Sequence, residues 1–371
     1  MNKKLINWLH LYPGLISAII IFFVCITGTI IVYSDEIIEL SAGDSRYVTE
    51  VKESKIPVDE LINIIKKEYP KRKAVSYLVA YKDPQRSVRF NTFSKEEGLR
   101  MVYIDQYTGK ILKDDPTIYF FYITAHLHDS FLLGKTGQWI VDIATLVFII
   151  ELITGLCLWW PKRWNKTARN GSLKIKWKST SKRLNYDLHK VLGFYALGIL
   201  LLLSLSGLII AFEPLSTFIL KSSGADTSHQ WEEKMPQFQE DKQAYDLNIL
   251  IDKVFTEYPQ KDEVQIATYK LESSGYYFLR VADRIGLKSA QQPIFKAYDR
   301  FSGEAVDIPE SALKHEKIEN MIWVLHMGNW MGPVGKFITF MAGLIATSLP
   351  VTGFFIWRSK RRKKKRAVSP A

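Results

Sequence analysis

The chain has 371 residues, 47% of them hydrophobic, and a formal net charge of +12. Its mean hydropathy is near zero because very apolar stretches alternate with strongly polar ones. The two cysteines, Cys25 and Cys157, both fall in apolar stretches, which excludes a disulfide framework in the polar segments and a metal site built on thiolates.

Four stretches read as membrane spans, at residues 11–33, 139–160, 191–212 and 337–357. Each reaches the ~20 residues needed to cross a hydrocarbon core of ~30 Å as a helix. The first follows Lys3-Lys4, but its apolar stretch exceeds that of a signal peptide. No small-residue cleavage site follows Tyr33-Ser34-Asp35-Glu36, so a retained helix is expected. Charge is sharply partitioned: residues 1–34 carry two Lys, 161–186 carry nine Lys or Arg, and 358–371 carry eight, with no acid in any of the three. The positive-inside tendency then puts both termini and the middle loop in the cytoplasm and segments 34–138 and 213–336 outside. These basic clusters are read as contacts to anionic membrane lipid and not to nucleic acid.

Between spans one and two, Leu61-Ile62-Asn63 through Glu68-Tyr69-Pro70 predicts an amphipathic helix stopped by proline. The same pattern returns between spans three and four, at Leu250-Ile251-Asp252 through Glu257-Tyr258-Pro259. Alternating stretches follow at Ser76-Tyr77-Leu78-Val79-Ala80-Tyr81 and Tyr276-Tyr277-Phe278-Leu279-Arg280-Val281, the pattern of half-buried strands. Asp105-Gln106-Tyr107-Thr108-Gly109 and Asp299-Arg300-Phe301-Ser302-Gly303 are equivalent turns. Each external segment is expected to be a small α+β unit of about a hundred residues with a modest core of its own.

Four of the seven histidines stand in Leu-His pairs just ahead of a span: His10, His128, His189 and His326. Gly14 and Gly28 follow His10 at the offsets at which Gly193 and Gly207 follow His189. Gly134, Gly137, Gly155 and Trp159 follow His128 as Gly332, Gly335, Gly353 and Trp357 follow His326. Residues 127–163 and 325–361 share twelve identities over 37 positions, so the chain reads as a duplicated two-helix unit with one histidine near the start of each helix. By topology His10 pairs in depth with His189, and His128 with His326. Imidazole is a common axial ligand of haem iron, and two facing helices that each offer one can clamp a haem, with Gly14 and Gly193 leaving room for the ring. Thr27, Thr154, Ser206 and Thr352 precede the distal glycines and are read as aids to close helix approach. His126 lies about 200° from His128 on a regular helix and is expected to be exposed or a substitute ligand. His229 and His315 read as surface residues. Asp142 and Glu151 fall within the second span, where a carboxylate is costly; Glu151 is a candidate for a proton relay or for an outer bond to a ligand imidazole, and its counterpart in the second half is Leu349.

Span, external helix-then-strands unit closing in Asp-x-x-x-Gly, Leu-His and span, with Trp159-Trp160-Pro161 at the inner end, resembles the PepSY-associated transmembrane family over nearly the whole chain. That family includes bacterial inner-membrane iron-uptake proteins and ferric-siderophore reductases. The resemblance implies a four-helix membrane bundle with two extracytoplasmic α+β PepSY-like domains, located in the bacterial inner membrane, and two b-type haems. Its organisation is then a first span (1–34), external domain (35–125), second span (126–161), basic cytoplasmic loop (162–185), third span (186–213), external domain (214–322), fourth span (323–358) and basic tail (359–371).

No Gly-x-Gly-x-x-Gly follows a strand, so nicotinamide or flavin binding by that route is not expected, and Gly134-Lys135-Thr136 lacks the first glycine of a phosphate loop. No nucleophile elbow, His-Glu-x-x-His or Cys-x-x-Cys supports hydrolysis. The expected function is electron transfer from a cytoplasmic or quinol donor, through haems at His10/His189 and His128/His326, to a ferric siderophore or other ferric chelate outside. Trp231, Trp323 and Trp330 are candidates to line its approach. The resemblance also admits a non-catalytic sensor, or a protein that binds a partner or regulates a peptidase. A transporter has only Pro350 and Glu151 in its favour.

Overall fold

The computed structural model describes residues 3–72, 74–266 and 274–368. The last three residues of the expected basic tail and the first two of the expected first span lie outside them. The chain divides into two compact units: a helical unit (residues 1–32, 123–216 and 322–371) and a sheet unit (33–122 and 217–321).

In chain order, α1 (Lys3–Ile31) is followed by α2 (Ser34–Ala42), α3 (Val58–Glu68), β1 (Ala74–Tyr81), β2 (Val88–Ser94), β3 (Gly98–Ile104) and β4 (Ile111–Asp115). Then come α4 (Thr117–Ser130), α5 (Gly134–Trp159), α6 (Lys166–Leu173), α7 (Ser181–Asp187), α8 (Gly193–Ala211) and α9 (Glu213–Ser222). The second half closes with α10 (Leu247–Glu257), β5 (Glu263–Ile266), β6 (Tyr276–Ala282), β7 (Arg284–Ile285), β8 (Ala290–Gln291), β9 (Ile294–Asp299), β10 (Ala305–Val306), α11 (Glu310–His326) and α12 (Gly332–Val368).

Among the described residues, four helices are long and apolar enough to cross a membrane: Lys3–Ile31, Gly134–Trp159, Ser181–Ala211 and Asn329–Arg361. They pack in a ring, α1 against α5 and α12, and α8 against α5 and α12. The ring closes on Ile21, Phe148, Leu152, Leu200 and four alanines, Ala144, Ala196, Ala342 and Ala346. Small side chains let helix backbones approach where dispersion, not water exclusion, drives association.

The segments read as the second and fourth spans are each broken. α4 ends at Ser130, and Phe131 and Leu132 turn the chain through the left-handed region before α5 begins. α11 ends at His326, and Gly328 (φ 77°) does the same before α12. His128 and His326 therefore close the last turn of a preceding helix and do not open the membrane helix. Gly137 and Gly335 permit the turn, since a Cβ at either would collide with the carbonyl oxygen of Ser130 or Gly328.

Where two separate α+β domains are expected, the strands of both halves join in an antiparallel sheet of eight in the order β10-β9-β6-β5-β1-β2-β3-β4, with β7 and β8 forming a small sheet of their own. The join is β1 against β5, with Leu78 opposite Ile266 and Ala80 opposite Val264. Apart, each half would expose an unpaired strand edge, and pairing removes both. One core serves both halves: Leu61 and Ile65 of α3, and Leu250 and Val254 of α10, lie with Leu78, Phe90, Val264 and Leu279 on one face of the sheet. Full burial of such a side chain stabilises by about 1.5–3 kcal/mol, so neither half would keep its stability alone.

Candidate functional site

The helical unit brings the four Leu-His histidines together in two pairs. The rings of His10 and His189 stand 6.2 Å apart, centroid to centroid, at 75°. Those of His128 and His326 stand 6.1 Å apart at 51°. These partners come from opposite halves of the chain.

Each imidazole is seated on the helix that packs beside it, in one repeated arrangement. His10 Nδ1 lies 3.2 Å from both the Glu151 carbonyl and Thr154 Oγ1. His128 Nδ1 is 2.8 Å from the Val24 carbonyl and 3.3 Å from Thr27 Oγ1. His189 Nδ1 is 2.9 Å from Thr352 Oγ1, and His326 Nδ1 is 3.1 Å from both the Leu203 carbonyl and Ser206 Oγ. Every one of these hydroxyls directs its own proton to the carbonyl one turn back: Thr27 to Phe23, Thr154 to Ile150, Ser206 to Leu202 and Thr352 to Ser348. The hydroxyl oxygen is thereby left as an acceptor, so Nδ1 carries the hydrogen and donates it. Nε2 keeps the lone pair, the form in which imidazole binds a metal.

Thr27, Thr154, Ser206 and Thr352 thus do more than permit close helix approach. The glycine after each makes the seat: a Cβ at Gly28 would stand 2.7 Å from His128 Cε1, at Gly207 3.0 Å from His326 Cε1, at Gly155 3.2 Å from His10 Cε1 and at Gly353 3.4 Å from His189 Cε1. The distal glycines therefore hold imidazoles from the neighbouring helix.

The proximal glycines behave differently from expectation. The space beside Gly14 is taken by the Glu151 carboxyl group, and Gly193 faces the Leu349 side chain at 3.5 Å, so neither is open for a flat ring. Backbone irregularities aim the first histidine of each half. Pro13 removes a helix donor three residues after His10, and His189 lies within a π-helical turn, Leu188–Leu192.

Glu151 touches His10 through its carbonyl; its side-chain Oε1 is buried without a hydrogen-bond partner among the described residues. Asp142 is buried in α5 and makes no hydrogen bond to an imidazole among the described residues. His126 faces Asp129, with Nδ1 3.3 Å from its carboxylate, and belongs to neither pair. His229 and His315, read as unrelated surface residues, meet at 5.2 Å in the sheet unit. Trp323 lies 6.4 Å from the His326 ring, while Trp231 packs on Phe278 in the sheet unit. The seats were missed in the sequence although the recurring Thr/Ser-Gly dipeptide, 17 residues after His10 and again after His189, carried the signal.

The spacing of the pairs tests whether they suit one iron each. Two imidazoles bound through Nε2 at about 2 Å apiece place their ring centroids about 6 Å apart. The 6.2 and 6.1 Å separations fit that requirement, and the Nδ1 bonds supply the outer orientation that metal-bound histidines need.

The sequence profile of one protein family, described as "PepSY-associated TM region", matches residues 7–360. No curated protein matches the chain.

Proposed function

The chain belongs to the PepSY-associated TM family, and from that premise we propose that it is a di-haem electron-transfer protein of the bacterial inner membrane that reduces a ferric chelate, such as a siderophore, on the outer side. The observation that carries the reading is the two facing imidazole pairs with every Nδ1 engaged.

His10 with His189 would hold one b-type haem and His128 with His326 the other. Bound there, the haems supply one-electron Fe(III)/Fe(II) chemistry. The protein's own part is to fix the ligands. Seven hydrogen-bonding groups, a hydroxyl for every histidine and a carbonyl for His10, His128 and His326, hold the rings, and the glycines set their depth. His10 and Gly28 are 18 residues apart on α1, about 27 Å of helix rise, and Gly28 seats His128, so the two pairs lie near opposite ends of the bundle. This spacing supports electron passage from one face of a ~30 Å hydrocarbon layer to the other. On this reading each half of the chain would supply one ligand of each haem. In that design the sheet unit is extracytoplasmic, both termini are cytoplasmic, and the Glu151 carboxyl serves as a buried proton relay. At the substrate, reduction loosens the chelate, because hard oxygen donors prefer the smaller, more highly charged Fe(III).

Purified protein should give a dithionite-reducible b-type spectrum that falls by half in His10→Ala or His128→Ala and vanishes in the double variant. Proteoliposomes with reductant sealed inside should reduce an external ferric chelate. A colourless protein would overturn the proposal and favour a sensor or peptidase-regulating role; bound haem without chelate reduction would overturn the reductase assignment alone.

A further inference from the structure

The segment between α5 and α8 carries nine Lys or Arg and no acid over residues 161–186, and it is folded. α6 is capped by Asn165, whose side chain accepts from the Ala168 amide. Trp159 Nε1 donates to the Ser172 carbonyl at 3.0 Å, Lys190 Nζ to Ser172 Oγ at 3.2 Å, and the Tyr195 hydroxyl to the Leu173 carbonyl at 3.2 Å. Lys162, Arg163, Lys166 and Arg169 are all exposed, and among the described residues none has an acidic partner.

Aromatic rings lead inward from this surface. Trp160 (60% exposed) and Trp164 (48%) meet at 5.5 Å, and Trp164 lies 5.6 Å from the buried Trp159. Trp159 stacks on Phe194 at 3.6 Å and 2°. It is also one turn beyond Gly155 on α5, the residue that seats His10.

We propose that this folded loop is the docking surface for an acidic, soluble one-electron carrier protein, whose reduced centre delivers its electron at the Trp160–Trp164 face. The proposal rests on the electron-transfer reading and names its donor. The carrier loses one electron and the chain gains one, and no bond is made or broken. Unpaired cations around an exposed aromatic centre are the complement of an acidic rim. Anionic lipid would be satisfied by a floppy basic tether. A segment held by a cap, a stacked ring and three side-chain bonds is instead preorganised, which lowers the ordering cost of binding a shaped partner.

The test uses the full chain in neutral-lipid nanodiscs and a reduced flavodoxin of strongly acidic surface as the probe. Binding is read by interferometry and delivery by stopped-flow haem absorbance. The dissociation constant should rise at least tenfold between 20 and 300 mM salt, and at least tenfold at low salt in K162E/R163E/K166E/R169E, with the four-glutamine variant intermediate. Binding should persist in His10→Ala, which separates docking from haem loading. Unchanged binding in the charge-reversed chain, or salt-independent binding, overturns the proposal. So does a wild-type chain that ignores flavodoxin while its loop, and not the reversed loop, binds anionic vesicles. Loss of haem in the parent would instead strike the electron-transfer reading.

Discussion

The glycine seats give a graded series that tests the site by a distance. Replacing a mid-helix glycine by alanine favours the helix by about 0.5–1 kcal/mol, so any loss must come from the imaginary Cβ meeting the imidazole. At Gly28 that Cβ would lie 2.7 Å from His128 Cε1, well inside contact. The ring cannot retreat without releasing its 2.8 Å bond to the Val24 carbonyl. Overpacking of this kind costs about 1–3 kcal/mol, and a broken hydrogen bond to a buried group about as much again, so the His128 ring is displaced. At Gly353 the Cβ would stand 3.4 Å from His189 Cε1, an ordinary contact, and the helix gain prevails. Haem-to-protein ratios from pyridine haemochrome spectra should therefore fall from two toward one in Gly28→Ala and stay at two in Gly353→Ala. Gly207→Ala (3.0 Å) and Gly155→Ala (3.2 Å) should fall between. Equal ratios across the series, or loss first at Gly353, would refute the seat.

Removing a hydroxyl acceptor while keeping its shape, in Thr154→Val or Thr27→Val, should leave haem bound but raise the midpoint potential, because a less polarised imidazole stabilises Fe(III) less; Thr→Ser at the same places should restore it, and redox titration reads both. In the sheet unit, Arg72 is buried and forks onto Asp114 at 2.8 and 2.6 Å while its Nε reaches Glu97 at 2.7 Å. Arg72→Met should cost about 2 kcal/mol, the acids being partly solvated, and a thermal shift of the sheet unit checks it. The Glu319 carboxylate, 3.7 Å from His315 Nε2, raises the imidazole's pKa. Its stabilisation is therefore full below the ordinary histidine range near 6.5 and is lost as pH climbs through the raised folded value. Hydrogen exchange at the start of α11 should accelerate over that climb, and Glu319→Gln should flatten the profile.

Composition and local pattern alone determine the four apolar helices, the family, and the presence of a helix-then-strands segment in each half, because hydropathy and the 3.6- and 2-residue periods are properties of neighbouring residues. Leu61 to Pro70 and Leu250 to Pro259 became α3 and α10 for that reason. What the histidines touch is not local. Thr27 and His128 are 101 residues apart, and Ser206 and His326 are 120 apart, so the hydroxyl that orients a ring could not be told from one that eases helix packing. The breaks after His128 and His326 were hidden for a related reason: Phe131 and Leu132 are apolar, and only the collision-free backbone at Gly137 reveals the turn. The eight-stranded sheet depends on β1 meeting β5 across nearly 190 residues of chain, where an unpaired edge in one half is satisfied only by the edge of the other. Residue type set which groups could bond; the fold chose their partners, because a donor's acceptor is decided by distance in space and not by separation along the chain.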